Sequence, residues 1–198
     1  MQAHGRFSGR VFVISELYYP EDVSTGHFLT GIAEAIAACR ETHVICAQPT
    51  YASRGTVAPW RETRNGVEIH RCASALCNNG SLPGRVVNAL SITVALSVAA
   101  LRLLRRGDTA IVVTNPPLLP YLTAIACVAR RARLILLVHD VYPDVLVAAG
   151  LLARGSFAVW ALDRLARCLY QRADRVVVLG RDAEKLLRLK TSGAVRPT

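Results

Sequence analysis

The chain has 198 residues, 52% of them hydrophobic and 19% charged, which suffices to bury one core, excludes wholesale disorder and leaves too little for two generous domains. Its net charge of +10 is almost entirely arginine, since Lys185 and Lys190 are the only lysines, and this favours bidentate contact with phosphates or carboxylates. Aromatic residues are only 6% and the arginines are scattered, so a polyanionic partner fits but a nucleic acid does not.

The N-terminal MQAHGRFSGR runs straight into a strand at 10–15, without the apolar segment and cleavage site of a signal peptide, and secretion is not expected. After that strand comes ELYYPEDVSTGHF, then a helix over 27–40 with an apolar stripe of Phe28, Ile32, Ala35, Ile36 and Cys39. Ser24, Thr25 and Gly26 stand at the mouth of this helix. Free backbone N–H groups there suit a diphosphate or a developing oxyanion, and a plain helix cap by Ser24 or Thr25 is the competing reading. The dinucleotide fingerprint GxGxxG is absent, which argues against an NAD enzyme.

A second strand is expected at 42–47, a long loop over 48–64 and a third strand at 67–71. His70 and Cys72 share a face there with Cys77 nearby, but no fourth ligand is evident and no metal site is assigned. The six cysteines form no CxxC pair, and most read as small core residues of a chain in the reducing cytosol. Residues 85–106 form a helix in which 86–101 carry no charge, closed by Arg102, Arg105 and Arg106. It is short of the ~20 apolar residues of a spanning helix, so it either lies in a membrane surface, its arginines on anionic headgroups, or packs in the outer layer of the domain.

The fourth strand, 109–113, ends at TNPPLLP, where Asn115 can contact a ligand while Pro116 and Pro117 stop the ladder. A helix follows at 118–131. The fifth strand, 134–138, is a run of large aliphatic residues that meets His139 and Asp140 at its end. Such a run suits a central parallel strand covered on both faces, and the carboxyl ends of such strands are where ligands gather. His139 can move a proton near neutral pH, Asp140 can orient it or bind a hydroxyl, and Asp144 is expected to cap the next helix. A helix at 156–172, a strand at 175–179 and a helix at 181–189 complete the alternation. The fold expected is α/β, a Rossmann-like, doubly wound and mostly parallel sheet.

Taken in order, YYPEDVSTGHFLTGIAEAIA, CAQPTY with RNGVEIHR, VVTNPPLLP, LLVHDVYPD and LYQRADRVVVLGRDAEKL resemble the N-terminal half of family 4 glycosyltransferases, nearest to bacterial enzymes of surface polysaccharide synthesis. The resemblance implies the GT-B architecture of two Rossmann-like domains facing across a cleft. It further implies retaining, metal-independent transfer from a nucleotide sugar, with no other cofactor, to a polyprenyl-linked or glycan acceptor. On this reading residues 1–190 are the acceptor-binding domain, and 191–198 begin a linker toward a missing C-terminal donor-binding domain or subunit. Ser24 to Gly26 would lie near the donor diphosphate and the acceptor, and His139 or Asp140 would contact the transferred sugar. Many relatives have two adjacent glycines in the first loop, where this chain has only Gly26. The expected location is cytoplasmic, peripheral to the inner face of the plasma membrane. The alternatives are half of a split two-subunit transferase and a non-catalytic Rossmann-like binding module.

Overall fold

The computed structural model describes residues 9–49, 57–77, 80–191 and 193. The strands are β1 (Val11–Ile14), β2 (Thr42–Ala47), β3 (Arg61–Arg64), β4 (Val67–Cys72), β5 (Thr109–Val113), β6 (Arg133–Val138) and β7 (Arg175–Val178). The helices are α1 (Ser24–Ala37), α2 (Leu82–Leu103), α3 (Leu119–Arg130), α4 (Asp144–Ala148), α5 (Phe157–Arg172) and α6 (Arg181–Lys190). One sheet runs in the order β3-β4-β2-β1-β5-β6-β7, parallel except at its β3 edge. The α/β, Rossmann-like reading therefore holds. β1 lies centrally and is wholly buried, as an apolar run between two helical layers must be.

The layers are unequal. On one face, a large apolar cluster joins Phe12, Ile45, Val112 and Leu136 to Ile92 and Leu96 of α2, Leu119 of α3, Leu169 of α5 and Leu187 of α6. On the other, Leu29 and Ala33 of α1 pack with Val13, Val44, Ile69, Val113 and Leu137. The partly buried Ile111 and Val177 fringe this second cluster.

Several boundaries differ from expectation. The loop expected over 48–64 contains β3, which pairs antiparallel with β4 through a turn at Asn65 and Gly66, both at positive φ. Asn-Gly is the preferred pair for a tight hairpin because both turn positions need left-handed backbone, and this signal outweighs the polarity that suggested a loop. Residues 50–56 of that segment lie outside the described residues, as do 1–8 at the N-terminus and, but for Thr191 and Gly193, the linker read over 191–198. Thr191 is buried, its hydroxyl donating to the Leu187 carbonyl at 2.8 Å, so at least this residue finishes α6.

α2 starts at Leu82 because the Ser81 hydroxyl accepts from the Gly84 N–H at 3.2 Å and Pro83 occupies the first turn. It ends before Arg105 and Arg106. Of the cysteines, Cys46 and Cys127 are core residues, with burial pushing each thiol up to about 12. Cys39, Cys77 and Cys168 are exposed, which corrects the expectation that most are buried.

Candidate functional site

Parallel strands place their carboxyl ends on one rim, and β1, β5 and β6 are consecutive in the sheet. Thr114, next after β5, is buried, and its hydroxyl oxygen accepts the backbone N–H groups of both His139 and Asp140 at 3.1 Å. One side chain thus holds the turn in which β6 gives way to polar residues. Asn115 follows at the β5 tip and is exposed. The structure therefore brings Asn115, His139 and Asp140 to two adjacent strand tips. A cis X-Pro bond follows each of the three tips, at Tyr19-Pro20, Asn115-Pro116 and Tyr142-Pro143.

His139 is half-buried, and burial lowers its pKa from the ordinary imidazole value, with Asp140 acting in the opposite sense. The ring is therefore neutral at pH 7, able to accept at one nitrogen and donate at the other. Tyr142 behaves conversely: burial first, and Asp140 second, raise its phenol. Asp144 does not cap α4, whose N-cap is Pro143 without a side-chain bond. Its carboxylate meets Lys190 of α6 at 2.5 Å, and Lys190 also holds Asp163 of α5 at 2.6 Å. Beneath this turn Pro143, Asp144, Val147, Arg154, Asp163 and Lys190 border an open cavity of about 400 Å³.

Ser24, Thr25 and Gly26 open α1, which follows β1 and packs over β2, β1 and β4. In the sheet β6, whose end carries His139, lies two strand spacings, about 10 Å, from β1. Ser24 and Thr25 do not cap the helix; its N-cap is Val23, with no side-chain hydrogen bond. This removes the competing reading of those residues and leaves the first turn's N–H groups aimed at the rim. Gly26 has a packing reason to be glycine: a Cβ there would lie 2.5 Å from the Glu21 carbonyl oxygen. The folded-back loop, rather than the approach of a phosphate, accounts for it.

Three residues of this rim escape sequence reasoning. Thr114 reads as an ordinary strand residue beside the more conspicuous Asn115. Glu16, directly after the β1 run, is partly buried, and burial followed by Glu21 raises its pKa. Its position at a central strand tip was the available signal. Arg71, at the end of β4, has a fully buried side chain that donates to the Pro59 carbonyl at 2.7 Å, the Tyr19 carbonyl at 2.9 Å and Glu62 at 2.5 Å. It thereby fastens the β1–α1 loop to the hairpin edge, a link between residues 52 apart that no local pattern announces.

The model of the glycosyl transferase 4-like domain matches residues 25–197. The probable glycosyltransferase WbjE of Pseudomonas aeruginosa is 44% identical over 88 residues, covering 44% of this chain and 22% of that protein. The ribosomal RNA small subunit methyltransferase G of Granulibacter bethesdensis is 34% identical over 90 residues, 46% of this chain and 42% of the other. Among solved structures, sucrose-phosphate synthase from Thermosynechococcus elongatus aligns with TM-score 0.59 and 12% identity over 96% of this chain and 47% of that one, a likeness of fold. These matches span less than half the length of each of the three proteins.

Proposed function

The chain belongs to the glycosyl transferase 4-like family, and from that premise we propose that it forms the acceptor-side wall of a glycosyl-transfer cleft. The second wall, which grips the nucleotide sugar, comes from a further domain or subunit. The observation that carries this reading is the Thr114 hydroxyl fixing both His139 and Asp140 at the carboxyl rim of the sheet.

In the reaction the acceptor hydroxyl oxygen bonds to the anomeric carbon as the bond to the diphosphate breaks. The phosphate leaves with the electron pair, the acceptor proton passes to it, and configuration is retained. Neutral His139 hydrogen-bonds a hydroxyl of the transferred sugar, and Asp140 and Asn115 orient the sugar or the acceptor. N–H groups of Ser24, Thr25 and Gly26 face the departing diphosphate, where a helix N-terminus favours growing negative charge. No metal enters this scheme.

The acceptor is polyprenyl-linked or a growing glycan of a surface polysaccharide, met at the cytoplasmic face of the plasma membrane. The outer side of α2 supports this. Val86, Val87, Leu90, Val94, Val98 and Leu101 form an exposed stripe, and only 22% of the helix's most apolar stretch is buried. The same stripe would equally suit a partner subunit, which is the second reading.

The test is transfer by the full-length protein from labelled nucleotide sugars to polyprenyl-linked acceptors. His139→Ala is expected to lower kcat by about 10²-fold, as loss of a group that positions the transferred sugar does. Wild-type turnover unchanged by this substitution would overturn the assignment of His139.

A further inference from the structure

At the amino ends of the strands, away from the rim, two histidines and two glutamates converge, and we infer that His43, Glu68 and His70 bind a divalent transition-metal ion, zinc by preference. In the parallel ladder His43 of β2 lies opposite Glu68 of β4, and His70 follows two residues later on the same face. His43 Nδ1 is 3.3 Å from His70 Nε2 and 3.4 Å from Glu68 Oε2, and His70 Nε2 is 3.2 Å from Glu68 Oε1. Ligand atoms 2.0–2.1 Å from a tetrahedral zinc stand about 3.3 Å from one another, and the two histidine nitrogens have that spacing, while Glu68 meets each of them with a different carboxylate oxygen. One ligand atom from each of the three residues lies within 4.8 Å of the others, so a small adjustment of the Glu68 side chain closes the face.

Glu41 Oε1 lies 3.0 Å from His43 Nε2, and a carboxylate only accepts, so Nε2 carries a proton and donates it outward. His43 Nδ1, His70 Nε2 and the Glu68 carboxylate then face one another across a small gap. A dication in that gap is held by one atom from each of the three residues. Glu41 becomes the outer carboxylate that fixes the tautomer of a metal-bound histidine.

Charge and access agree with this. Glu41 and Glu68 together balance a dication. Arg10, whose guanidinium lies over the Phe12 ring that stacks on His43, is already paired with Asp108 at 2.7 Å, leaving Arg61, across the hairpin from His70, as the nearby positive charge. The histidine side chains are under 10% exposed, but Glu68 is 46% exposed and leaves room for a water as fourth ligand. Two imidazoles select a borderline metal over magnesium or calcium. The set differs from the His70, Cys72 and Cys77 grouping suggested by sequence proximity: Cys72 packs against the core and Cys77 is exposed. The ion would clip β2 to β4, a structural role separate from the glycosyl-transfer rim.

The test uses the full-length protein, with any affinity tag removed and bound metal stripped by a chelator. Zinc sulfate is titrated against a chromophoric chelator, and cobalt chloride is followed by visible absorption. The expected result is one ion per chain, a tetrahedral cobalt spectrum without thiolate charge transfer, and a Tm raised by zinc. His43→Ala and His70→Ala should abolish uptake, and Glu41→Gln should weaken it by about 10- to 100-fold. Should the histidine variants fail to fold, the wild-type cobalt spectrum and the half-exposed Glu68→Gln decide the matter. Absence of stoichiometric uptake by the wild type, sulfur ligation, or uptake unchanged in Glu68→Gln would overturn the site.

Discussion

At the scale of single residues, His139 ties stability to pH. Burial lowers its pKa, so the folded ring stays neutral at pH values where the unfolded chain already binds a proton. The sign follows from linkage: this contribution is fully present above the ordinary imidazole value of about 6.5 and is lost as pH falls through the lower folded value. Tm should therefore fall on acidification from about pH 7 to about pH 5. His139→Asn should remove part of that fall. Melting curves across this range decide it, and an equally steep fall in the variant would show that His139 is not a source of the dependence. Thr114 acts differently, through geometry alone, since its hydroxyl sets the directions of two backbone N–H groups.

At the scale of elements, α2 is the least conventional part of the molecule. Thr93, Leu96 and Ser97 face inward, while the opposite stripe carries aliphatic side chains to the surface, with Val94 more than half exposed. A helix apolar all round belongs in a core or a bilayer, and α2 has only one side covered. Its far end brings Arg102, Arg105 and Arg106 together, with Arg130 of α3 donating to the Leu101 carbonyl. The exposed Ile125 and Val128 of α3 add to the apolar surface. In flotation assays the full-length protein should bind vesicles containing anionic phospholipid. The double variant Leu90→Glu/Val94→Glu should lose at least about 10-fold in vesicle affinity with little change in Tm, since each charge removes an apolar side chain from the bilayer and neither enters the core. Vesicle binding unchanged in that variant would instead favour the stripe as a protein interface.

At the scale of the whole molecule, the two faces of the sheet are unequally covered. Four helices contribute to one cluster and, among the described residues, α1 alone to the other, leaving Ile111 and Val177 only partly buried at its fringe. On the proposed function, the rim bearing Asn115, His139 and Asp140 would be one wall of the cleft, with donor and acceptor aligned between it and a second. A polypeptide limited to residues 1–198 should accordingly transfer sugar at least about 10³-fold more slowly than the full-length protein, because orientation and leaving-group stabilisation are both lost. Comparable turnover by the two in the same nucleotide-sugar assay would refute the two-wall proposal.

Much of this was legible in the chain itself. Aliphatic runs such as LILLV, alternating with one-sided helical stripes, dictate a mainly parallel sheet, because only helices on both faces can hide strands with no polar side. The same local rule puts His139, Asp140 and Asn115 at strand tips, and the Asn65-Gly66 pair, read for its turn geometry, announces the β3–β4 hairpin. Long-range proximity is not written locally. That Thr114 grips the His139 turn, that Arg71 reaches Tyr19, and that His43 meets Glu68 and His70 depend on strand order and register, which join residues from about 25 to 52 apart. Side-chain pattern determined the elements and their tips; only the packed sheet decided which tips became neighbours, because order and register emerge from the burial of all the strands together.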